Sequence, residues 1–346
     1  MAFQDLNRRA ERAHTTTPSV VEDPVTAPPQ DHNFRERLRS RIVRGVSNAG
    51  PSNDTPRDAA DFKREELIAH AVRVVDGWTK QLQALDQRSP EYRALADKRD
   101  LVTRSLIAAD VYSDGSKTER FLPSHIFRLE GDSIQFLLGS DFDARQLKSF
   151  GSGYSAALYL DKSSNTIIVA NRGSGDLADW VNNSRQAMGL KARQYEQAIA
   201  LAHNVTDAVE KHYGSTVAVE FVGHSLGGGL ASAQAVVLQG CRAVTFNAAG
   251  LHKDTVERFN TRLTELSAKH ITAIQVQGEL LTSIQGNMSD IFKGTVMPEA
   301  AGISREIGPR QGIPVGRPVL ATAEALERHM MHKVLYEMLR AYGGLE

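Results

Sequence analysis

Apolar positions follow two periods along the chain. From Asp61 onward, Leu67, Ile68, Ala71, Val74, Val75, Trp78 and Leu82 recur three and four apart, and Leu95, Val102, Leu106 and Ile107 resume the spacing after Pro90. That period predicts helices packing on a core. Between Phe121 and Ala170 the period shortens, with the runs SIQFLL, SAALYL and NTIIVA separated by the turn signals EGD, GSG and DKSSN. These predict a hairpin-forming sheet. Tyr195, Ile199, Ala202, Val205 and Val209 then mark a helix over about 186–212 that leads into the apolar run TVAVEFV. A second helix, the strand RAVTFN, a further helical stretch and the strand ITAIQVQ follow. Alternation of strands and helices predicts an α/β fold: a mostly parallel central sheet, helices on both faces, and a helical N-terminal extension.

Residues 1–60 have a different character. Pro, Ser, Thr and charges dominate, as in TAPPQD and NAGPSNDTPRD, and such a segment buries too little surface to offset its ordering entropy. A mostly disordered extension is expected there, with the basic stretch RERLRSRIVRG (35–45) a solvated charged segment rather than an amphipathic helix. The expected division is thus 1–60, a helical segment 61–110 packing on the core, and a main domain over 111–346. The first thirty residues lack the apolar run of a signal peptide, and no stretch reaches the ~20 apolar residues of a membrane span. Synthesis in the cytoplasm without a Sec-type signal is the expectation.

Charge and cysteine narrow the partners. Lys plus Arg equals Asp plus Glu at 41 each, so no global field draws in nucleic acid or an anionic bilayer. The single cysteine, Cys241, excludes an internal disulfide framework and a Cys-rich zinc site, and is expected to be a small buried filler.

Chemistry enters at Gly223-His224-Ser225-Leu226-Gly227. This G-x-S-x-G lies between a predicted buried strand and a predicted helix, the setting of a nucleophile elbow. The chain must reverse tightly enough to lift a serine oxygen clear of the sheet, and glycines two positions either side remove the Cβ atoms that would collide. Ser225 is the candidate nucleophile, and the Leu226 N–H, at the start of the following helix, the first oxyanion donor. A phosphate cradle is excluded, because no P-loop lysine follows the glycines and G-x-G-x-x-G does not occur. The fold class is therefore read as an α/β-hydrolase.

Such a fold supplies nucleophile, acid and base in that order. Of the eleven histidines, four follow the elbow: His252, His270, His329 and His332. His252 and His270 precede the strand expected to carry the acid, so His329 and His332 in LERHMMHKVLYEML remain. His224, adjacent to the nucleophile, is expected to brace the turn. A metal on the H-x-x-H pair is not expected, and neither is any other cofactor. ITAIQVQ ends at Gly278-Glu279, and catalytic groups of open α/β sheets sit just past strand carboxyl ends, which makes Glu279 the first choice of acid. Asp290 and Asp254 stand in reserve.

Taken together, VANRGSGDLADWVNN, VEFVGHSLGGGLASA, VTFNAAGLH, VQGELLT and ERHMMHKVL resemble the class 3 (fungal-type) lipase superfamily, in particular its bacterial members found in secreted effectors and toxins. The resemblance spans roughly Leu101 to Leu339. It implies that Ser174, after Arg172 and Gly173, supplies the second oxyanion donor, although Asn171 stands where the family more often has phenylalanine. It implies a loop-ordering role for Asp179, Trp180 and Asn183. Glu279 takes the position of the family acid, often aspartate, and His329 that of its histidine. The implied function is a phospholipase or lipase releasing fatty acid from membrane lipids, with transient contact to a membrane surface and export by a specialised bacterial route. The sequence specifies no immunity or secretion partner.

The long segment Thr282–Leu320, rich in glycine and proline and carrying Met288, Ile291, Phe292 and Met297, is a candidate lid or acyl-binding wall, or else a plain surface excursion. Two other functions fit the same residues. One is an esterase or acyltransferase on a small soluble ester. The other is a catalytically silent binding module that keeps the elbow as scaffold.

Overall fold

The computed structural model describes residues 63–113, 122–173, 188–279, 300–308 and 329–345. The expected extension over 1–60, Ser174, the Asp179–Asn183 element and Asp290 lie outside the described residues.

Two long helices come first, α1 (Arg64–Gln83) and α2 (Pro90–Asp110). Ser89 caps α2 by accepting from the Tyr92 N–H at 3.0 Å, with Pro90 in the first turn, where its missing N–H costs nothing. Next come β1 (Ile126–Leu129), α3 (Asp132–Leu138), the short β2 (Lys148–Ser149), β3 (Tyr154–Asp161) and β4 (Thr166–Asn171). The remainder alternates: α4 (Met188–Tyr213), β5 (Ala218–His224), α5 (Leu226–Val237), β6 (Arg242–Phe246), α6 (Lys253–Glu257), α7 (Glu265–Ala268), β7 (Ile271–Val276), β8 (Ile303–Ile307) and α8 (Met331–Ala341).

The sheet runs β1-β3-β4-β5-β6-β7-β8, with β2 added beside β3. β4 to β8 are parallel, while β3 is antiparallel to β1, β2 and β4. The carboxyl ends of β4, β5, β6 and β7 therefore share one end of the sheet with the amino end of β3, where Ala156 faces Asn171. Side chains alternate across the strands as the pleat requires. Ile167, Val169 and Phe221 point into a core with α4 and α5 residues such as Ile199, Val205 and Leu230. Ile168, Ala170 and Val222 point the other way, against α1, α2 and α8 through Val75, Leu106 and Leu335. This doubly covered, mostly parallel sheet is the α/β-hydrolase arrangement.

Two expectations need correction. SIQFLL is not a strand: Ser133 to Leu138 belong to helix α3. Gly131 turns the chain at φ 49°, the Ser133 hydroxyl donates to the Glu130 carbonyl at 2.7 Å, and Ile134, Leu137 and Leu138, three and four apart, are buried together. The run thus has a helical period that a short apolar stretch does not distinguish from a strand. The segment expected as one long loop from 282 to 320 contains β8, whose backbone extends the sheet beyond β7.

At the end of the sheet opposite the elbow, α2 is tied down by charge. Arg104 reaches both carboxylate oxygens of Glu220 at 3.0 and 3.1 Å and Asp161 at 2.7 Å, with all three side chains buried. Burial by itself raises the Asp161 carboxyl, but Arg104 and the Ser163 hydroxyl more than offset it and hold the group down at about 2.

Candidate active site

β5 ends at His224, and α5 begins at Leu226. Between them Ser225 has φ 58° and ψ −127°, a conformation that non-glycine residues rarely adopt and that persists only where neighbours over-determine it. The neighbours here do so: the Ser225 N–H donates to the Phe246 carbonyl at 3.0 Å, and the Ser225 carbonyl accepts from Gly228, Gly229 and Ala249 at 3.0, 3.2 and 2.9 Å. The glycines are required by space. A Cβ on Gly223 would strike the Gly227 carbonyl, one on Gly227 the Asn171 carbonyl, and one on Gly228 would lie 2.6 Å from Ala248 Cβ.

The first N–H groups of a helix have no acceptor within it. Those of Gly228 and Gly229 are taken by Ser225, and of the two before them, on Leu226 and Gly227, the Leu226 N–H beside Ser225 is the candidate oxyanion donor. Gly173, one residue before Ser174, lies against Ser225: a Cβ there would come 3.4 Å from Ser225 Cβ and 2.7 Å from the His224 carbonyl.

His329 and Glu279 meet. His329 Nδ1 and Glu279 Oε2 are 2.6 Å apart, with both side chains almost wholly buried. Glu279 follows β7 through the turn at Gly278 (φ 72°), and its N–H donates to the Val276 carbonyl at 3.2 Å. Among the described residues no polar atom bonds His329 Nε2, which is buried. A histidine that gives Nδ1–H to a carboxylate presents an unprotonated Nε2, the atom a general base needs. Ser225 is only 4% exposed and Glu279 and His329 are buried as well, so the three candidates are all shielded from water.

The other sequence candidates fall elsewhere. His332 lies in α8, half-buried. Asp254, a reserve acid, is exposed in α6, 3.5 Å from His252 Nδ1, so the structure does not bring it to His329. The side-chain Nδ1 of His252 caps the same helix.

Two groups at the site were not singled out from the sequence. Tyr112, just past α2, bonds His224 Nδ1 at 3.1 Å, and its oxygen accepts from the Gly173 N–H at 3.1 Å. Asn247, held at φ 42° after β6, donates from Nδ2 to the His329 carbonyl at 3.3 Å and accepts the Val276 N–H at 2.9 Å. No motif marks Tyr112, whereas Asn247 lies in the VTFNAAG segment that carries the resemblance. His224 braces more than the turn: its Nε2 bonds the His329 carbonyl at 2.7 Å. Burial, reinforced by the nearby His329, pushes its pKa down to about 3 and keeps the ring neutral. Asn171, at the family's phenylalanine position, is buried and paired, accepting from the Tyr154 hydroxyl at 3.0 Å and donating to Gln234 at 2.7 Å. No group of three or more potential metal ligands occurs among the described residues.

The Tle-like phospholipase domain of the phospholipase-like family matches residues 103–331. The extracellular phospholipase A1 of Serratia liquefaciens is 33% identical over 241 residues, covering 68% of this chain and 69% of that protein. Among solved structures, the native Rhizomucor miehei lipase propeptide complex aligns over 72% of this chain and 81% of its own, at 12% identity and a TM-score of 0.44. The Lip2 lipase of Yarrowia lipolytica aligns over 60% and 78%, at 13% identity and a TM-score of 0.39.

Proposed function

The chain belongs to the Tle-like phospholipase family and is an ester hydrolase of the lipase and phospholipase type, and we propose that it cleaves phospholipid acyl esters through Ser225, His329 and Glu279. The observation that carries the assignment of these residues is the buried 2.6 Å bond between His329 and Glu279 on the same end of the sheet as the strained Ser225.

In this reading His329 Nε2 takes the Ser225 hydroxyl proton as Oγ attacks the acyl carbonyl carbon. The carbonyl oxygen becomes an oxyanion, held by the backbone N–H groups of Leu226 and Ser174. The tetrahedral centre collapses, the C–O bond to the glycerol side breaks, and His329 returns the proton to the departing alkoxide. Water then enters, His329 removes its proton, and attack on the acyl enzyme frees the fatty acid and regenerates Ser225. Glu279 accepts from Nδ1–H throughout, holding the tautomer and offsetting the charge of the imidazolium.

The curated relative is a phospholipase A1, which supports the sn-1 ester as the bond cut. That relative is also extracellular, which supports action outside the producing cell.

The test is fatty-acid release from mixed-chain phosphatidylcholine vesicles, run beside Ser225→Ala and a dispersed short-chain ester. Release of the sn-1 chain that disappears in Ser225→Ala is expected. Turnover of the soluble ester with no release from vesicles would overturn the phospholipid assignment and leave a small-ester hydrolase. No covalent labelling of Ser225 by a phosphonate probe would leave a silent binding module instead.

A further inference from the structure

β2 and β3 are joined by a tight turn, and Phe150 within it is 102% exposed. Isolated surface apolar residues are ordinary, and exposure by itself argues nothing. Three features set this one apart.

The first is that the turn around Phe150 is pinned. The Gly153 N–H donates to the Ser149 carbonyl at 2.9 Å, the Tyr154 N–H to Ser152 Oγ at 3.2 Å, and Gln194 of α4 donates to the Ser152 carbonyl at 2.7 Å. The buried Ser152 hydroxyl donates in turn to Gln197. The backbone is held to the body of the protein while the ring is held away from it.

The second is position. β3 starts at the end of the sheet where β4 and β5 finish, so the turn lies on the same end as Ser225, about two strand spacings, roughly 10 Å, across the sheet from β5. Tyr154, the first residue of β3, bonds Asn171 at the end of β4, which links the turn to the strand that leads into Gly173.

The third is company. Lys148 beside it is exposed, and Met330, directly after His329, is 44% exposed on the same end of the molecule. The other large exposed apolar side chains include Leu266 and Ile303, which precede or begin strands at the opposite end.

We infer that Phe150 is an interfacial anchor: it enters the headgroup–acyl boundary of a phospholipid bilayer and holds the nucleophile's end of the sheet against the membrane, with Lys148 at the level of anionic headgroups. An aromatic ring with a lysine at its side suits that boundary, where one needs the apolar edge and the other the lipid charge. The choice of partner rests on the phospholipase reading, whereas the projection and pinning of the turn do not.

The test uses the full chain carrying Ser225→Ala for binding, so that vesicles of phosphatidylcholine and phosphatidylglycerol stay intact, and the active chain for turnover. Phe150→Ser is expected to lower vesicle partitioning by about ten-fold or more, the equilibrium equivalent of leaving one phenylalanine side chain in water. Phe150→Trp is expected to restore it, with indole emission shifting to the blue on adding vesicles. Turnover of a dispersed short-chain ester by Phe150→Ser is expected to match the parent, since the ring contributes nothing to the core. Equal partitioning of parent and Phe150→Ser, with no emission shift in Phe150→Trp, overturns the anchor, while vesicle hydrolysis by the parent then leaves the phospholipase reading standing. Partitioning that depends on Phe150 in a chain that hydrolyses no vesicle lipid upholds the anchor and overturns that reading instead.

Discussion

The ring of His224 and the main chain of His329 are joined across 105 residues of sequence by a 2.7 Å hydrogen bond from Nε2 to the carbonyl oxygen. A carbonyl only accepts, so Nε2 carries the proton and, in the neutral ring, Nδ1 accepts. Tyr112 must then donate its hydroxyl proton to Nδ1, and its oxygen accepts from the Gly173 N–H. One directed chain therefore runs from the loop before Ser174 through the elbow to the residue proposed as the base. The two imidazoles lie with centroids 4.8 Å apart, so a charge on His224 would oppose the charge that His329 would acquire as the proposed base.

Tyr112→Phe removes the hydroxyl in the middle of this chain and keeps the ring. It leaves the Gly173 N–H and His224 Nδ1 without their partner, a loss of about 1–3 kcal/mol when the groups stay dry. A lower melting temperature is expected, together with a roughly ten-fold fall in kcat on a soluble ester and little change in KM. Steady-state kinetics beside thermal unfolding checks this; full kcat with a lowered melting temperature would reduce the chain to a structural brace.

Glu279→Gln keeps the shape of the side chain and removes the charge facing His329 Nδ1. An amide in that place stabilises the wrong tautomer as readily as the right one and no longer offsets an imidazolium. The expected loss in kcat is about 10²–10⁴-fold, by analogy with acid-to-amide changes in serine hydrolase triads. Unchanged turnover in the variant would remove Glu279 from the mechanism and turn attention to Asp290.

Stability is expected to begin to fall with acid at a pH above the ordinary carboxylate range. His224 titrates at about 3 in the folded protein against ~6.5 in an unfolded chain, so between those values the unfolded state binds the extra proton. Its contribution is complete above about pH 6.5 and is lost as pH falls toward 3, at no more than ~1.4 kcal/mol per pH unit. Burial lowers His125 as well, so it acts in the same direction. Urea midpoints at about pH 7.5 and about pH 5 measure the loss, and His125→Phe is expected to flatten the dependence without touching the site.

Arg104→Met strands Asp161 and Glu220 without their shared cation in a dry environment. Breaking a buried ion network from one side costs roughly 3–5 kcal/mol. Denaturant unfolding is expected to show that loss. Turnover per molecule labelled by a phosphonate probe is expected to stay near the parent value, because the network sits at the far end of the sheet.

The elbow was legible because everything that makes it is local. A buried strand, glycines at Gly223 and Gly227, a serine between them and a helix behind all fall within about twenty residues, and each has a steric reason to be what it is. The long helices were legible for the same reason, since Leu67 to Leu82 declare one face. SIQFLL reads as a strand in sequence because six apolar-rich residues fit either period, and what decides for a helix is the Gly131 turn and the core beneath Leu137 and Leu138. β8 is not legible in the sequence because an edge strand with three exposed or half-exposed polar residues in five has little apolar signal, and its backbone is ordered by pairing to β7.

By itself, then, the sequence determined the glycine-flanked strand-to-helix turn at Ser225, the alternation of strand and helix that builds a parallel sheet, and the family. Those depend on neighbours along the chain, where spacing is fixed by covalent geometry. Which carboxylate meets which histidine, which tyrosine orients His224, and which phenylalanine is left in water were decided only by the tertiary structure. Glu279 and His329 are 50 residues apart, and Tyr112 and His224 are 112 apart. Bonds across such separations are set by how helices and strands pack, and no local period in the sequence records that packing.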